Sequence, residues 1–398
     1  MKILCTAQMG TAAVMGQTMR VAAIAKALQR RGHEVRFLAG GKLVQVIRGF
    51  GIDVVETDAM PQHDFPLDGQ LDDPRQQEEM IAKMQLVRER LMAIEAEAAQ
   101  REKPDLLLCG TITGPKVGQR LGLPSLLTFL QPHGPKTLEL FTRRLKDDRI
   151  KDSLAGSLAA ADVIIVEGMP EISGGVTLES LGPKVAGLSD KVHFTGPLLM
   201  EYPDELPTRE ALKEKHGGSG DKQLVYVTIG GGSQLIGEQF LKVVLEGLRL
   251  LPLLTGVIAT GIAIPPERIK ALNPPGNAVV RGFVPGTELV RASDVTVFHG
   301  GSSTLMTCLA CGTPAVVVPS MGEQEDNGAV LADNGAGIVL DKASLTAPIL
   351  AEAVARILGD ADYRRQAARL KALGEKYGGA EEAALLAEKI VSREAVAR

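Results

Sequence analysis

The sequence contains few aromatic residues and few cysteines. Aromatic residues make up 3% of the chain and tryptophan is absent, which disfavours the stacked aromatic platforms that bind single-stranded nucleic acid. The four cysteines, at positions 5, 109, 308 and 311, are too few and too scattered for a disulfide framework. This cysteine usage is typical of a reducing compartment, so we predict a cytoplasmic location.

The sequence also lacks an excess of positive charge and any long apolar run. Its 44 Lys and Arg residues stand against 48 Asp and Glu residues, for a net charge of -4, and we therefore predict no nucleic-acid partner. No stretch approaches the roughly 18 apolar residues that a transmembrane helix needs. Any membrane contact would accordingly be peripheral.

What the sequence does contain is a repeated alternation of short apolar runs with helical patterns. The run 2–7 is followed by a glycine-containing loop and by a helical pattern over 19–31. Similar pairs recur along both halves of the chain, which predicts parallel sheets with helices on both faces. The fold class is therefore α/β, with two doubly wound, Rossmann-like domains facing each other across a cleft.

The domain boundary is predicted from composition. The segment 195–222 is rich in Pro, Gly and charged residues, and a fresh strand begins at Leu224. We expect a first domain over 1–202, a linker over 203–222, a second domain over 223–375 and a C-terminal helix over 376–398 that could return to the first domain. A ligand would lie between the domains, near the carboxyl ends of the strands.

The densest group of functional residue types follows the predicted strand 295–298. His299 and two glycines lead into Ser302, Ser303 and Thr304, where a helix is predicted to begin. A glycine-rich turn at a helix N-terminus presents backbone N–H groups and the positive end of the helix dipole to an anion. The alternative is an ordinary strand-to-helix turn capped by Ser or Thr.

Spacing beyond this turn resembles the donor-binding signature of GT-B glycosyltransferases that use nucleotide sugars, of the UDP-glycosyltransferase and macrolide glycosyltransferase type. The matching residues follow the family order and are His299, Gly300, Gly301, Thr304, Gly312, Pro314, Pro319, Glu323, Gln324 and Asn327. RGFVP (281–285) and VYVTIGGGS (225–233) also match the family. A partial resemblance to the cell-wall N-acetylglucosaminyl transferase branch rests on the Gly-Gly-Ser-Gln turn at 231–234 and leaves a lipid-linked acceptor open.

The resemblance implies a role for each matching residue. The donor diphosphate would lie against His299, the turn from Gly300 through Gly301, Ser302 and Ser303 to Thr304, and Ser233. The base and ribose would lie by Arg281, Phe283, Val284 and Thr307, and the sugar hydroxyls by Glu323 and Gln324. The family ordinarily needs no bound metal or cofactor, so we expect none, with the nucleotide sugar as co-substrate.

The sequence departs from the family at the catalytic base. The family places a His or Asp where this chain has Gly16 and Gln17, and neither residue accepts a proton near neutral pH. A substitute such as His133 or Asp64, an acceptor that needs little deprotonation, and a loss of transfer activity are three compatible explanations. Thr307 replaces an acidic residue that commonly holds the ribose.

We therefore predict an inverting, metal-independent glycosyltransferase that moves a sugar from a UDP- or dTDP-sugar to a small-molecule acceptor. The acceptor would bind the first domain and the donor the second. The alternatives are a non-catalytic or regulatory nucleotide-sugar-binding protein and a transferase acting on a lipid-linked acceptor. A monomer and a homodimer are both compatible with the sequence.

Overall fold

The computed structural model describes most of the chain. The described residues are 1–7, 15–41, 43–58, 73–144, 148–176, 178–181, 185, 187–218, 222–230, 237–261, 264–282 and 284–397. Within them the chain forms two α/β domains, each on its own parallel sheet, and the predicted fold class is confirmed.

The first domain is built on a seven-stranded sheet. Its strands are β1 (Lys2–Thr6), β2 (Glu34–Gly40), β3 (Asp53–Thr57), β4 (Leu106–Cys109), β5 (Ser125–Leu130), β6 (Val163–Glu167) and β7 (Val192–Phe194). The helices that follow in the first half are α1 (Met15–Arg30), α2 (Leu43–Gly49), α3 (Pro74–Glu102), α4 (Gly114–Leu121), α5 (Pro135–Arg144) and α6 (Asp148–Ala160). The strand order is β3-β2-β1-β4-β5-β6-β7, and the neighbouring strands are parallel.

The second domain repeats this architecture with six strands. They are β8 (Leu224–Thr228), β9 (Thr255–Ala259), β10 (Ala278–Arg281), β11 (Val295–Phe298), β12 (Ala315–Val317) and β13 (Gly337–Val339). The order is β10-β9-β8-β11-β12-β13. The remaining helices are α7 (Arg209–Lys215), α8 (Gly237–Arg249), α9 (Pro266–Lys270), α10 (Gly286–Ala292), α11 (Ser302–Cys311), α12 (Gly322–Asp333), α13 (Ala347–Gly359), α14 (Ala361–Glu375) and α15 (Gly379–Ala397).

The burial of the central strands explains why they read as apolar runs. All residues of β4, β6, β8 and β9 are buried, since helices cover both faces of a parallel sheet. In each sheet the strand order reverses, between β1 and β4 and between β8 and β11. Ligands of such sheets bind outside the carboxyl ends of the strands at the reversal, which is where His299 follows β11.

The segment between the domains contains helix α7, which packs on the second domain. Arg209 and Lys213 lie 2.5 Å and 3.0 Å from the carboxylate of Asp294. The same carboxylate accepts a 2.7 Å hydrogen bond from the N–H of Leu224, where β8 begins. Within the stretch 203–222, which we expected to be a linker, residues 209–215 are helical and are joined through Asp294 to the start of β8.

The last helix, α15, lies on the first domain. Its alanines Ala380, Ala383, Ala384 and Ala387 are fully buried in one cluster with residues of α1 such as Val21, because small side chains allow the two helices to approach closely. Helix α15 thus packs on the domain that contains β1 and α1.

Tyr202 fixes the start of α15. Its hydroxyl accepts a 2.7 Å hydrogen bond from the N–H of Ala380 and lies 3.0 Å from the carbonyl oxygen of Pro197, to which it donates. A Cβ at Gly379, which has φ +58°, would overlap that hydroxyl. The chain therefore needs glycine at this position to bring the helix N-terminus against Tyr202.

We predict that Tyr202→Phe lowers the free energy of unfolding by about 1–2 kcal/mol, since it leaves a buried N–H and a carbonyl oxygen without their partner. Urea denaturation followed by circular dichroism measures this. Tyr363→Phe is the matched control, because the structure gives no partner for that hydroxyl within the described residues. Equal stability of the Tyr202 variant and the wild type would contradict the capping role.

Candidate functional site

The turn between β11 and α11 has the geometry of an anion site. Strand β11 ends at Phe298, and α11 begins at Ser302 after an extended Gly301 at the N-cap position. Gly301 has no side chain to cap the helix, and the first N–H groups of a helix have no partner within the helix. These N–H groups and the helix dipole therefore remain available to a negatively charged ligand.

The two glycines of this turn are required by its neighbours. Gly300 has φ +85°, and a Cβ there would lie 2.5 Å from the carbonyl oxygen of Gln324. A Cβ at Gly301 would lie 2.7 Å from Nε2 of His299. The carbonyl oxygen of Gly300 accepts a 2.8 Å hydrogen bond from Nδ2 of the buried Asn327. The turn is thus held in one conformation by contacts on three sides.

His299 is neutral at physiological pH. Its side chain is 9% exposed, and a Cβ at Gly230, on the facing turn after β8, would lie 2.9 Å from its Cε1. Burial lowers the pKa of His299 to about 4, partly opposed by a hydrogen bond with the backbone of Thr228. Its Nδ1 is buried and has no partner within the described residues. The ring nitrogen that lies beside the anion turn is Nε2, 2.7 Å from the position that a Cβ at Gly301 would take, so this nitrogen faces a ligand bound there.

Arg20, from helix α1, reaches this turn from the first domain. Its Nη2 donates a 2.8 Å hydrogen bond to Oγ of Ser302, and its Nη1 donates a 3.2 Å hydrogen bond to Oε1 of Gln17. Its Nε donates to the carboxylate of Glu167, with which it forms a buried ion pair. The guanidinium therefore joins the expected base position to the anion turn.

Gln17 is fully occupied by structural contacts. Its Nε2 lies 2.9 Å from both the carbonyl oxygen and Oγ1 of Thr128, and its Oε1 accepts from Arg20. A Cβ at Gly16 would lie 3.2 Å from Oγ of Ser303. Residues 16 and 17 thus lie beside the anion turn, but the amide of Gln17 holds Arg20 and Thr128 and accepts no proton.

His133 lies in the loop between β5 and α5, on the first-domain side of the cleft. Its side chain is 5% exposed, and both ring nitrogens lack a partner within the described residues. Burial, followed by the positive charge of Arg20, lowers the pKa of His133 to about 4. The imidazole is therefore neutral, and its unprotonated nitrogen can accept a proton from a ligand.

The loop of His133 also contacts the second domain. The N–H and Oγ1 of Thr137, in the first turn of α5, lie 2.5 Å and 2.7 Å from Oδ2 of Asp326 on α12. A Cβ at Gly134 would lie 2.5 Å from Cγ of Asp326. A carboxylate of the second domain therefore caps a helix of the first. An ion pair between Lys136 and Glu325 lies beside it on the surface.

The residues expected around the sugar and ribose have the following surroundings. Oε1 of the buried Gln324 accepts a 2.8 Å hydrogen bond from the N–H of Ser320, and Glu323 precedes it in the first turn of α12. Oγ1 of Thr307 donates a 2.8 Å hydrogen bond to the carbonyl oxygen of Ser303 within α11. One lone pair of Oε1 of Gln324 is therefore used by Ser320, and a sugar hydroxyl could bind the other lone pair or the Nε2 group.

The structure describes only some of the residues expected around the base. The guanidinium of Arg281 lies 3.2 Å from Nδ1 of His216, next to α7. Val284 is buried in the core of the second domain, so only its backbone can meet a base. Phe283, Ser233 and Asp64 lie outside the described residues.

Arg20 and Glu167 were not predicted from the sequence. Arg20 lies on the apolar face of α1, which it shares with Ile24 and Ala27, and Glu167 ends the apolar run of β6. A charged residue at a position where the pattern demands an apolar one was the available signal, since such residues are rarely fully buried unless they are paired.

Glu95 is a second buried acid that the sequence did not predict as such. It extends from α3 to the hydroxyl of Thr111, which also lies 3.1 Å from the hydroxyl of Thr6. Its Oε2 has no partner within the described residues, and the cluster lies at the carboxyl ends of β1 and β4, next to the buried thiol of Cys109. Burial raises the pKa of Glu95 from 4.5 to about 7, partly opposed by the threonine hydroxyls.

We predict that Glu95 makes the stability of the protein pH-dependent. The folded carboxyl keeps its proton up to a pKa of about 7, whereas the unfolded carboxyl loses it near pH 4.5. Its contribution is therefore complete below about pH 4.5 and is lost as the pH rises to 7, by about 2–3 kcal/mol. Relative to the wild type, Glu95→Gln should gain stability by this amount between pH 4.5 and pH 8 in urea unfolding. Parallel pH profiles of the two proteins would rule out a raised pKa.

Comparison with known proteins places this site in a recognised fold. Residues 257–376 match the family model of the erythromycin biosynthesis protein CIII-like C-terminal domain. An uncharacterised glycosyltransferase of Methanopyrus kandleri is 32% identical over 173 residues, which are 43% of this chain and 48% of that protein, so the match spans about half of the relative. An uncharacterised glycosyltransferase of Methanosarcina mazei is 26% identical over 94% of this chain and 95% of its own length.

Solved structures extend the likeness to the whole chain. The spinosyn forosaminyltransferase SpnP superposes with a TM-score of 0.70 at 21% identity, covering 98% of this chain and 99% of the other. The Streptomyces glycosyltransferase SsfS6 in complex with thymidine diphosphate gives a TM-score of 0.66 at 22% identity, covering 98% and 99% of the two chains. The predicted resemblance is confirmed: this chain has the two-domain GT-B fold, and its second domain is similar to the EryCIII-like C-terminal domain.

Proposed function

We propose that this protein is a glycosyltransferase that transfers a sugar from a nucleoside diphosphate donor to a small-molecule acceptor, with inversion at the anomeric carbon. The observation that carries the proposal is the unpaired His133 on the first-domain side of a cleft whose other side is the anion turn at the N-terminus of α11. One side supplies a proton acceptor, and the other supplies donors for a leaving group.

The second domain would bind the donor. The diphosphate would accept hydrogen bonds from the N–H groups of Ser302 and Ser303 and from the hydroxyl of Thr304, while His299 would present Nε2, the ring nitrogen beside Gly301, to a phosphate oxygen. Because His299 is neutral in the free protein, it enters the site without a charge that needs desolvation. The negative charge of the diphosphate would then raise its pKa and favour protonation.

The first domain would bind and activate the acceptor. His133 would take the proton of an acceptor hydroxyl as its oxygen forms a bond to the anomeric carbon. The bond from that carbon to the diphosphate oxygen breaks, and its electron pair leaves with the nucleoside diphosphate. A single displacement of this kind inverts the anomeric configuration. The donor's charge would also raise the pKa of His133 and improve it as a base.

The donor is proposed to be a dTDP-sugar, with a UDP-sugar as the second choice. Similar structures, SsfS6 among them, include complexes with thymidine diphosphate. Metal independence is part of the proposal, since His299, the α11 dipole and backbone N–H groups offset the charge that develops on the leaving diphosphate.

Two further candidates from the sequence remain. A non-catalytic nucleotide-sugar-binding protein is favoured by the occupied amide of Gln17, and it is opposed by the unpaired nitrogens of His133. The other candidate is a transferase that acts on a lipid-linked acceptor.

No helix in the described part of the chain combines the length and apolarity needed to cross a bilayer. A cytoplasmic location stays a prediction from cysteine usage.

A first experiment is calorimetric titration of the protein with dTDP, UDP and GDP, with and without Mg²⁺. We expect one of the first two nucleotides to bind with an affinity that Mg²⁺ does not change. Binding without donor turnover over a broad acceptor panel would favour the non-catalytic candidate. Absence of binding to all three nucleotides would contradict both.

His299→Ala should weaken the binding of the preferred nucleoside diphosphate by about 1–3 kcal/mol, the scale of a hydrogen bond to a charged group. Calorimetry at pH 7 measures the change. His193→Ala, on the edge strand β7 of the other domain, is the control and should bind like the wild type. An unchanged affinity for the His299 variant would remove this residue from the site.

His133→Gln should lower kcat by about 10²–10⁴-fold, the usual contribution of a general base. The amide fills a similar space but accepts no proton, so the dissociation constant of the nucleotide should stay within about twofold, because this ring touches the acceptor rather than the nucleotide. Product formation and nucleotide binding are measured on the same preparation. Wild-type turnover in this variant would assign the base to another group.

A further inference from the structure

We infer that Arg20 is a donor-binding residue, which holds the diphosphate from the first domain and completes a phosphate site that the second domain provides only in part. The inference rests on the proposed function, since it names a further contact for the same donor.

Arg20 lies beside the N-terminus of α11. Ser302 is the first residue of α11, where the helix presents its free N–H groups, and its Oγ lies 2.8 Å from Nη2 of Arg20. An anion that accepts from the N–H of Ser302 or Ser303 therefore comes within a few ångströms of the guanidinium. Gly16, next to Arg20 in space, lies against Ser303 and has no side chain that would separate them.

Arg20 has more hydrogen-bond donors than its protein partners use. A guanidinium has five N–H donors. One goes from Nε to Glu167, one from Nη1 to Gln17 and one from Nη2 to Ser302. One N–H on each terminal nitrogen is left, and these two donors are available to the oxygens of a phosphate.

The positive charge of Arg20 is held in position by Glu167. Arg20 and Glu167 are buried, with side chains 6% and 2% exposed, and a buried charge is tolerated only when it is paired. Glu167 is itself fixed by a 3.0 Å hydrogen bond from the N–H of Leu198 to its Oε1. The pair orients the guanidinium before any ligand arrives, and Gln17 supports it from the other side.

This arrangement gives the residue at the usual base position a different task. Gln17 accepts from Arg20 and donates to Thr128, so its amide positions the guanidinium instead of removing a proton. Gln17 is on these grounds a positioning residue, and Arg20 is the group that touches the donor.

The experiment compares the affinities of a nucleoside diphosphate, a nucleoside monophosphate and a nucleoside for three proteins. These are the wild type, a double variant and a single variant. The double variant Arg20→Met/Glu167→Gln removes the charge without leaving an unpaired buried carboxylate, and the single variant Glu167→Gln keeps the guanidinium. Each is titrated calorimetrically with dTDP, dTMP and thymidine, or with the uridine series if the wild type prefers it. Circular dichroism and thermal unfolding check that each variant is folded.

We expect the double variant to lose roughly 10- to 100-fold in affinity for the diphosphate, the scale of a charge-assisted hydrogen bond. Its affinity for the nucleoside should change less than about threefold, and Glu167→Gln, whose amide oxygen can still accept from Nε, should lose less diphosphate affinity than the double variant. A folded double variant that binds the diphosphate like the wild type, or loses diphosphate and nucleoside affinity equally, would overturn the role of Arg20. Failure of the wild type to bind any diphosphate would overturn the proposed function and this inference together.

A conservative variant supplies a second readout. Arg20→Lys keeps the charge, but its single ammonium cannot contact Glu167, Gln17 and a phosphate in one geometry. It should recover only part of the diphosphate affinity lost in the double variant. Full recovery would show that charge alone is used and would overturn the assigned fork geometry.

Discussion

The buried ion pair between Arg20 and Glu167 is the interaction on which the arrangement of the cleft depends. It joins α1 to the end of β6 inside the first domain, and through Ser302 it reaches the second domain. Burying either charge without its partner would cost folding free energy. The pair therefore fixes the first-domain side of the cleft to within a hydrogen bond of the anion turn.

A second set of contacts links donor-side and acceptor-side helices. Asp326, three residues after Glu323 and two after Gln324 on α12, caps the N-terminus of α5, which follows the loop of His133. A cap of this kind is worth about 1 kcal/mol. This contact joins the helix that carries the expected sugar-binding residues to the segment that carries the proposed base.

The sequence predicted those parts of the molecule that are contiguous in the chain. The strand 295–298, the glycine turn and the following helix are contiguous in the sequence, so residue types and spacing predicted a candidate anion site there. The fold class followed from the alternation of buried strands with helices. The contact between Arg20 and Ser302 spans 282 positions, and no local pattern encodes a contact of that range. Glu95 was hidden for the same reason, since α3 reads as a charged surface helix until Thr6 and Thr111 are brought against it.

The return of α15 to the first domain changes how the chain is divided. The first domain consists of two separate stretches, and the second domain is an insertion between them, entered near Tyr202 and left near Gly379. During synthesis the buried face of α1 that α15 covers stays uncovered until α15 has left the ribosome. The insertion precedes α15 in the sequence, so we expect the donor half to be able to finish folding while the acceptor half still lacks α15. An exchange of donor domains between relatives would accordingly need two junctions, with α15 kept with its host.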